Sequence, residues 1–342
     1  MRVIVVNKQE AGQRLDRYLA KYMSKAAKSF FYKMLRKKNI TLNGKKAAGM
    51  EKVQEGDEIK LFLSDETIDK FRGIEQPVNA PAINKTDANK TAVNKKEQSL
   101  AIVYEDDEVL VVNKASGMLS QKAKKEDRSL VEYITDYLMT RQQQQDSVFR
   151  PGICNRLDRN TTGLIVAGKT VESLQYLNRL FKERELHKYY LCIVKGCIAQ
   201  KETIDGYLRK EEKSNKVTIQ KAKKEGGVRI LTAYEPLEYG RYRKEEYTLL
   251  KVDLITGKSH QIRAHLQSIG HPLIGDHKYG NRKDASFYQK EFGLQYQLLH
   301  AWKLCLGDAA YLPDRLHGKE WTAPLPEQFQ TILKKMGMKV RN

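Results

Sequence analysis

Apolar residues follow two different periods along this chain, and the change of period marks its organisation. Near the N-terminus Leu15, Tyr18, Leu19, Tyr22 and Met23 recur at helical spacing on one face. A second helix is predicted from Ser29 to near Asn39, with Phe30, Phe31, Met34 and Leu35 turned inward. Its other face carries Lys33, Arg36 and Lys37, with Lys38 at its end. Asn43-Gly44 marks a tight hairpin turn, and Gly56-Asp57 leads into Ile59–Leu63, whose alternation predicts a half-buried strand. Residues 1–63 therefore read as a small α/β module with a basic helix face beside a hairpin carrying Lys45 and Lys46.

The pattern then lapses. Residues 64–99, above all the polar Asn79–Lys96 stretch, lack amphipathic period and predict a flexible linker that tethers the first module to the rest. From residue 100 short strands dominate. Ile102–Tyr104 and Val109–Val112 flank an acidic turn at Glu105–Glu108 and read as a hairpin, followed by a Lys114-Ala-Ser-Gly117 loop. Ser129-x-x-Glu132 is a capping box opening a helix with Leu130, Tyr133, Ile134, Tyr137 and Leu138 inward, and the glutamine run 142–145 is its frayed end or a surface loop. Leu164–Ala167, Lys188–Val194 and Tyr247–Leu254 read as strands, and Thr170 caps a helix burying Leu174, Leu177, Leu180 and Phe181. Strands outnumber helices and are mostly joined by short turns. The expected class is α+β, a largely antiparallel mixed sheet with flanking helices over residues 100–335.

Composition narrows the partner. The chain has 342 residues, 62 basic against 42 acidic, and a net charge of +20. Residues 1–63 hold 15 basic and 6 acidic side chains, so a fifth of the length carries nearly half the excess. Such a balance favours nucleic acid, because phosphate contacts release condensed counterions. No segment is long or apolar enough to span a bilayer, and Met1–Val6 turns polar at Asn7, short of a signal-peptide core. Cys154, Cys192, Cys197 and Cys305 form no CxxC pair and read as reduced thiols. The expectation is a cytoplasmic, monomeric protein with no membrane role.

Two clusters carry candidate chemistry. The first is Asn155-Arg-Leu-Asp-Arg-Asn-Thr-Thr-Gly163, which sets Asp158 between Arg156 and Arg159 in a turn entering a core strand. It fits chemistry on a polyanion, and equally a local ion-pair network. The second is Leu254-Ile-Thr-Gly-Lys-Ser-His-Gln-Ile-Arg-Ala-His-Leu266, followed by Gly270–Asp276. After the Thr256-Gly257 turn it reads as a helix ending at Gly270, with Ile262, Leu266 and Ile269 on one face and His260, Arg263 and Gln267 on another. A metal site on His260, His265, His271 and His277 is disfavoured: the spacing does not share a face, and neither HExxH nor a Cys/His deaminase signature is present. No metal and no cofactor are expected. The absence of GxGxxG and of a P-loop argues against dinucleotide and nucleoside triphosphate enzymes.

Arg14-Leu-Asp16 with Leu19, the Lys28–Lys38 stretch, Leu42-Asn-Gly-Lys45 and Gly56-Asp57 together resemble an S4-type RNA-binding domain. Lys28, Lys33, Arg36, Lys37, Lys38 and Lys45 are its candidate RNA contacts. From Lys114-Ala-Ser-Gly117 onward, the Asn155–Gly163 motif, Lys188-Tyr-Tyr190, Leu254–Arg263, Gly270–Asp276 and Leu299-His-Ala301 occur in order, and the chain resembles the RluA family of RNA pseudouridine synthases over about residues 100–330. The resemblance departs in places: the family carries Pro at Ala115, His at Asn155, Ser at Thr162 and Arg-Thr at Lys258-Ser259. These departures bear on substrate contacts more than on catalysis.

The resemblance implies a pseudouridine synthase fold and an isomerase that cleaves the N1–C1′ bond of a uridine, turns the uracil and rejoins C5 to C1′. Such a reaction is redox-neutral. The resemblance makes Asp158 the catalytic carboxylate, acting as nucleophile or base, with Arg263 against it, Arg156 filling the space of a flipped-out base, Tyr190 stacking on that base and Ile262 lining the uracil pocket. Tyr190 and Ile262 also fit plain core positions. The implied partner is structured RNA, 23S rRNA or a large-subunit assembly intermediate, favoured over tRNA only by the S4-like module. A non-catalytic ribosome-assembly protein on the same fold is the rival; loss of Asp158 or Arg263 would support it, and both are present. A methyltransferase or nuclease would need a glycine-rich methyl-donor loop or an acidic metal cluster, and neither is found.

Overall fold

The computed structural model describes residues 1–73, 100–142, 148–210, 216–220, 222–223 and 226–340. The chain divides into two compact units: residues 1–100, 135–152 and 168–175 in the first, and 101–134, 153–167 and 176–342 in the second.

In the first unit, β1 (Arg2–Val5), α1 (Leu15–Tyr22), α2 (Lys28–Arg36), β2 (Ile40–Leu42), β3 (Lys45–Lys46), β4 (Glu58–Leu61) and α3 (Asp65–Arg72) follow in chain order. The strands form an antiparallel sheet in the order β1-β4-β2-β3. The apolar stripes of α1 and α2 bury Leu15, Leu19, Phe31 and Leu35 in one core with Ile40, Ile59 and Leu61 from the strands. Each such side chain fully removed from water contributes about 1.5–3 kcal/mol before ordering entropy is counted, which two short helices need. The β2–β3 turn places Asn43 (φ 50°) and Gly44 (φ 73°) in the left-handed region, the pair of angles a two-residue hairpin with native twist demands.

The helical order of this unit extends past the expected module. Residues 65–72, read as linker, are helical: Ser64 Oγ accepts the Thr67 N–H at 3.3 Å, and Ile68 is fully buried in the core. Ile68 and Phe71 are the only apolar side chains in that stretch, too sparse a stripe to reveal a helix in the sequence. The rest of the expected linker, 74–99, lies outside the described residues, as do residues 143–145 of the glutamine run. The first unit also takes in chain from beyond residue 100: Val148 packs against its core and donates its N–H to Glu10 Oε1 at 2.6 Å, and Val171 N–H donates to the Gln9 carbonyl at 2.9 Å.

The remaining elements are β5 (Ile102–Glu105), β6 (Val109–Lys114), α4 (Leu130–Gln142), β7 (Gly152–Ile153), β8 (Thr162–Gly168), α5 (Val171–Glu183), β9 (Leu186–Lys195), β10 (Glu202–Lys210), β11 (Val217–Gln220), β12 (Val228–Tyr242), β13 (Glu245–Asp253), α6 (Gln261–Ser268), α7 (Arg282–Phe292), β14 (Leu299–Leu306), β15 (Glu320–Thr322) and α8 (Glu327–Lys335). Among the described residues eleven strands form one mixed sheet in the order β11-β10-β12-β13-β9-β14-β8-β6-β5, with β15 on β14 and β7 on β8. The long central pairings, β12–β13, β13–β9 and β9–β14, are antiparallel, as expected of this α+β chain. Among the described residues no helix is long and apolar enough to cross a membrane.

Alternation along β9 positions the site. Leu191 and Ile193 enter a core with Leu249 of β13, Tyr288 of α7 and Phe329, Ile332 and Leu333 of α8. Tyr190, one step out of phase, lies on the opposite face of the sheet. The β14–β8 contact is parallel and short, Thr162 opposite His300 and Gly163 opposite Ala301. Gly163 has φ 113°, and a Cβ there would lie 2.1 Å from the Ala301 carbonyl oxygen. That close approach requires the glycine that ends the Asp158 motif, and it explains why Leu299-His-Ala301 belongs with that motif.

Candidate active site

Residues 154–161 link β7 to β8, and neighbouring groups fix this loop along its length. Cys154 N–H donates to the Val166 carbonyl at 2.8 Å. The Asn155 amide prolongs that pairing, its Nδ2 donating to the Leu164 carbonyl at 3.0 Å and its Oδ1 accepting from Val166 N–H at 2.9 Å. Leu157 turns inward, and its backbone pairs with buried Ser120, whose hydroxyl accepts the Leu157 N–H and donates to the Leu157 carbonyl. Thr161 N–H closes the turn on the Asp158 carbonyl at 3.0 Å. With Leu157 directed into the protein, Arg156 and Asp158 on either side of it face the cleft.

Lys114 holds the loop from beneath. Its side chain is almost fully buried, and Nζ donates to the carbonyls of Ala115, Met118 and Arg159 at 2.9, 3.0 and 2.9 Å. Three acceptors match the three protons of an ammonium. Burial pushes the Lys114 pKa down to about 8, with the charge of Asp158 acting in the opposite sense.

The carboxylate finds its partner far away in sequence. Arg263 Nη1 donates to Asp158 Oδ2 at 3.2 Å. The same guanidinium binds Asp276 in bidentate fashion, Nε to Oδ2 at 2.7 Å and Nη2 to Oδ1 at 2.9 Å. Asp276 Oδ1 also accepts the backbone N–H groups of Lys278 and Tyr279. Burial opposes ionisation of Asp276, but Arg263 and those N–H groups outweigh it and hold its carboxyl below the usual range. Arg263 itself stays protonated: burial works against its charge, and Asp276 and then Asp158 more than restore it. Asp276 thus orients the fork, and the fork presents its third nitrogen, Nη1, to Asp158. Among the described residues neither Arg156 nor Arg159 forms an ion pair with Asp158. The local network that the sequence left open is not what forms.

Arg263 is held at this spot by α6 and the turn before it. Gln261 is buried, its Oε1 accepting from Thr256 Oγ1 and Lys258 N–H and its Nε2 donating to the Leu231 carbonyl and Thr232 Oγ1. The helix therefore begins at Gln261, not directly after Gly257, and His260 stands outside it with φ 57°. The expected shared face of His260, Arg263 and Gln267 does not form; Gln267 is exposed, and His260 reaches the cleft through its own backbone conformation, Nε2 lying 3.9 Å from Asp158 Oδ2. Its Nδ1 pairs with Tyr279 Oη at 3.0 Å. Burial lowers the His260 pKa, Arg263 and Lys278 adding to this while Asp158 opposes it. His265 and His271 are engaged elsewhere, with Thr232 Oγ1 and the Lys195 carbonyl.

Asp158, Arg156, Tyr190, Ile262 and Arg263 line one cleft of about 830 Å³, large enough for a nucleotide and its neighbours. Lys122, Arg159, Arg184, Lys188 and Lys258 also border it, and Asp158 is the one acidic lining residue among those described. Tyr190 is buried, and desolvation together with the charge of Asp158 raises its pKa, so its hydroxyl keeps its proton. The cleft combines a single held carboxylate, a flat aromatic side chain and a cationic rim. It can receive a polyanion and present one carboxylate oxygen to it.

The departures from the family pattern separate into two kinds. Asn155 ties the loop to β8, and Thr162 Oγ1 pairs with His300 Nδ1 at 2.7 Å, so both serve internal contacts rather than the substrate contacts the sequence suggested. Ala115 contributes only its carbonyl to Lys114, and Lys258 and Ser259 are exposed beside the cleft. In the first unit Lys28, Lys33, Arg36, Lys37, Lys38 and Lys45 are all exposed, with Lys28 also 3.6 Å from Asp16. Asp276, Lys114, Ser120 and His260 are the contributors that sequence reasoning gave no place at this site. Lys114 opened one sequence motif and Asp276 closed another, and that was the available signal.

The family described as RNA pseudouridylate synthase matches residues 108–268. Over 300 residues the chain is 30% identical to ribosomal large subunit pseudouridine synthase C of Vibrio cholerae, covering 87% of this chain and 86% of its relative. It is 30% identical over 335 residues to synthase D of Haemophilus influenzae, covering 96% and 92%, and 31% identical over 272 residues to an RNA pseudouridine synthase of Aquifex aeolicus, covering 78% and 77%. Among solved structures, human RNA pseudouridylate synthase domain containing 4 superposes with a TM-score of 0.57 at 21% identity, covering 71% of this chain and 95% of that one, a likeness of fold.

Proposed function

We propose a ribosomal substrate from the premise that the chain belongs to the RNA pseudouridylate synthase family, isomerases that convert uridine to pseudouridine within RNA. The substrate is large-subunit rRNA of the 23S type, free or in an assembly intermediate, and the protein acts on it as a cytoplasmic monomer. Two relatives of similar length carry large-subunit names, and the exposed cations of α2 and of the β2–β3 hairpin suit a phosphate backbone. We read the first unit as an S4-type module that holds the RNA while the cleft works on one nucleotide.

Asp158 is the reactive carboxylate. The observation that carries this is its bond to Arg263, which keeps a partly exposed anion in place within an otherwise cationic cleft. A uridine in a stack cannot reach it, so the nucleotide is flipped out, Arg156 takes the vacated space and the Tyr190 ring stacks on the uracil against Ile262. Stacking of this kind is worth about 1–3 kcal/mol per base. The reaction moves no electrons to or from the RNA: the N1–C1′ bond breaks, the base turns, the C5–C1′ bond forms, and the C5 proton leaves as N1 gains one.

Mapping pseudouridine across total RNA of a strain lacking the gene tests the assignment. Specific large-subunit positions are expected to revert to uridine and to be restored by the wild-type gene but not by an Asp158→Asn copy. Losses confined to tRNA would overturn the ribosomal substrate, and an unchanged map would overturn the activity.

A further inference from the structure

The oxygens of Asp158 are not equivalent. Arg263 Nη1 addresses Oδ2, and the nearest approach of His260 Nε2, 3.9 Å, is to that same oxygen. Among the described residues Oδ1 accepts no hydrogen bond from the protein. His260 is held for this approach at both ends. Its backbone occupies the left-handed region at φ 57°, an uncommon conformation outside glycine that turns the ring out of the helix and toward the cleft. Its Nδ1 meets Tyr279 Oη at 3.0 Å, and Tyr279 Oη already accepts the Val217 N–H at 3.0 Å. Among the described residues Nδ1 is the one acceptor within reach of the tyrosine proton, and donation to it is the arrangement that satisfies that proton and leaves the imidazole proton on Nε2, facing the carboxylate. Besides Asp158, the charged groups around this ring are Arg263, Lys278 and Asp276.

We propose that His260 is a positioning residue of the isomerisation: with Arg263 it reserves Oδ2 of Asp158, so that Oδ1 is the oxygen turned to the ribose. The inference rests on the reading of Asp158 as the reactive carboxylate. In the open cleft the His260–Asp158 separation exceeds a hydrogen bond. It shortens as the nucleotide fills the cleft and displaces water, since hydrogen bonds of this type tighten in the substrate complex. Tyr279 is the support behind it, and it also lies against the guanidinium of Arg263, whose Cζ is 5.1 Å from the ring centroid. One tyrosine thus backs both donors to Oδ2.

The test uses the full-length protein and total RNA from a strain lacking the gene, labelled with tritium at uracil C5, since isomerisation releases that hydrogen. His260→Phe removes the donor and is expected to slow single-turnover release about 100-fold, the scale of a small misplacement of a reacting group, with RNA affinity unchanged within about twofold. His260→Gln restores an N–H at similar reach and is expected to recover most of the rate, and Tyr279→Phe falls between them. If His260→Phe does not fold, His260→Asn takes its place: asparagine tolerates the left-handed backbone but is too short to reach Oδ2. Release at the wild-type rate without the imidazole, or a glutamine variant no faster than the phenylalanine one, would overturn the inference. Asp158→Asn is run beside them. Its full activity would overturn the reading of Asp158 itself, whereas an inactive Asp158→Asn beside a fully active His260→Phe overturns only the role of His260.

Discussion

Arg263 and Asp158, 105 residues apart in the chain, meet at 3.2 Å through Nη1 of a guanidinium whose other two nitrogens bind Asp276. The catalytic carboxylate proposed here is thus positioned by an arginine that is itself positioned by a buried second carboxylate.

Arg263→Lys and Asp276→Asn separate these two relations. Lysine is a point charge without the planar fork and cannot hold both carboxylates in this geometry. Arg263→Lys is expected to lower turnover by about 100-fold or more, with a smaller stability loss than removing the charge would bring, because lysine keeps one. Asp276→Asn keeps the backbone contacts to residues 278 and 279 through its remaining oxygen but removes the charge that Arg263 pairs with, so the larger stability loss, about 3–5 kcal/mol, is expected here with a comparable loss of turnover. Denaturant unfolding and tritium release from C5-labelled RNA check both.

Gly163→Ala probes the β8–β14 contact. A Cβ placed 2.1 Å from the Ala301 oxygen, at φ 113°, forces the two strands apart. Destabilisation of more than about 3 kcal/mol is expected, and a thermal melt reads it.

Lys114 gives the site an alkaline limit. Its folded-state pKa of about 8 lies below the ordinary lysine value, so the amine loses its proton as pH rises through about 8. A neutral amine has two N–H donors for three carbonyls, and the Asp158 loop loses one tie. The sign for stability is opposite to that for activity. The unfolded chain holds the proton more tightly, so this group's contribution to stability grows as pH rises from about 8 toward the unfolded lysine range and is lost as pH falls back through about 8. Turnover is expected to fall above pH about 8 without unfolding. Lys114→Met, slower at every pH, is expected to lack that limb in a pH–rate profile.

The cations of α2 act through phosphate charge. Replacing Lys33 and Lys37 with glutamine is expected to weaken binding to large-subunit rRNA at low salt. It reduces the slope of log affinity against log salt by about 0.7–0.9 for each phosphate that is no longer neutralised. Filter binding across a salt series measures it, and single-turnover release at saturating protein is expected to stay near the wild-type value.

Local order was well encoded in the sequence, and long-range partnership was not. The stripes of α1, α2 and α5, the Asn43-Gly44 hairpin and the buried runs of β8 and β9 follow from periodicity and turn chemistry, because each is decided within about ten residues. α3 escaped because two apolar residues make too narrow a stripe, and the onset of α6 was misplaced because Gln261 consumes the turn that periodicity assigned to helix. The motifs containing Asp158, Tyr190, Ile262 and Arg263 were visible, but spacing along the chain carries no information on which guanidinium meets which carboxylate. The adjacent Arg156 and Arg159 were the natural local candidates, yet Arg263 is the partner. Asp276, Ser120 and Lys114 were silent for the same reason: their bonds to Arg263, Leu157 and Arg159 exist only in the fold.

The central claim is that Asp158 carries the reaction, and the most direct measurement is tritium release from C5-labelled RNA by Asp158→Asn at saturating protein. Asparagine keeps the volume and accepts a hydrogen bond from Arg263, so folding and RNA affinity are expected to match the wild type. The account predicts no release above background over many wild-type half-lives. Release at a rate approaching that of the wild type would contradict it.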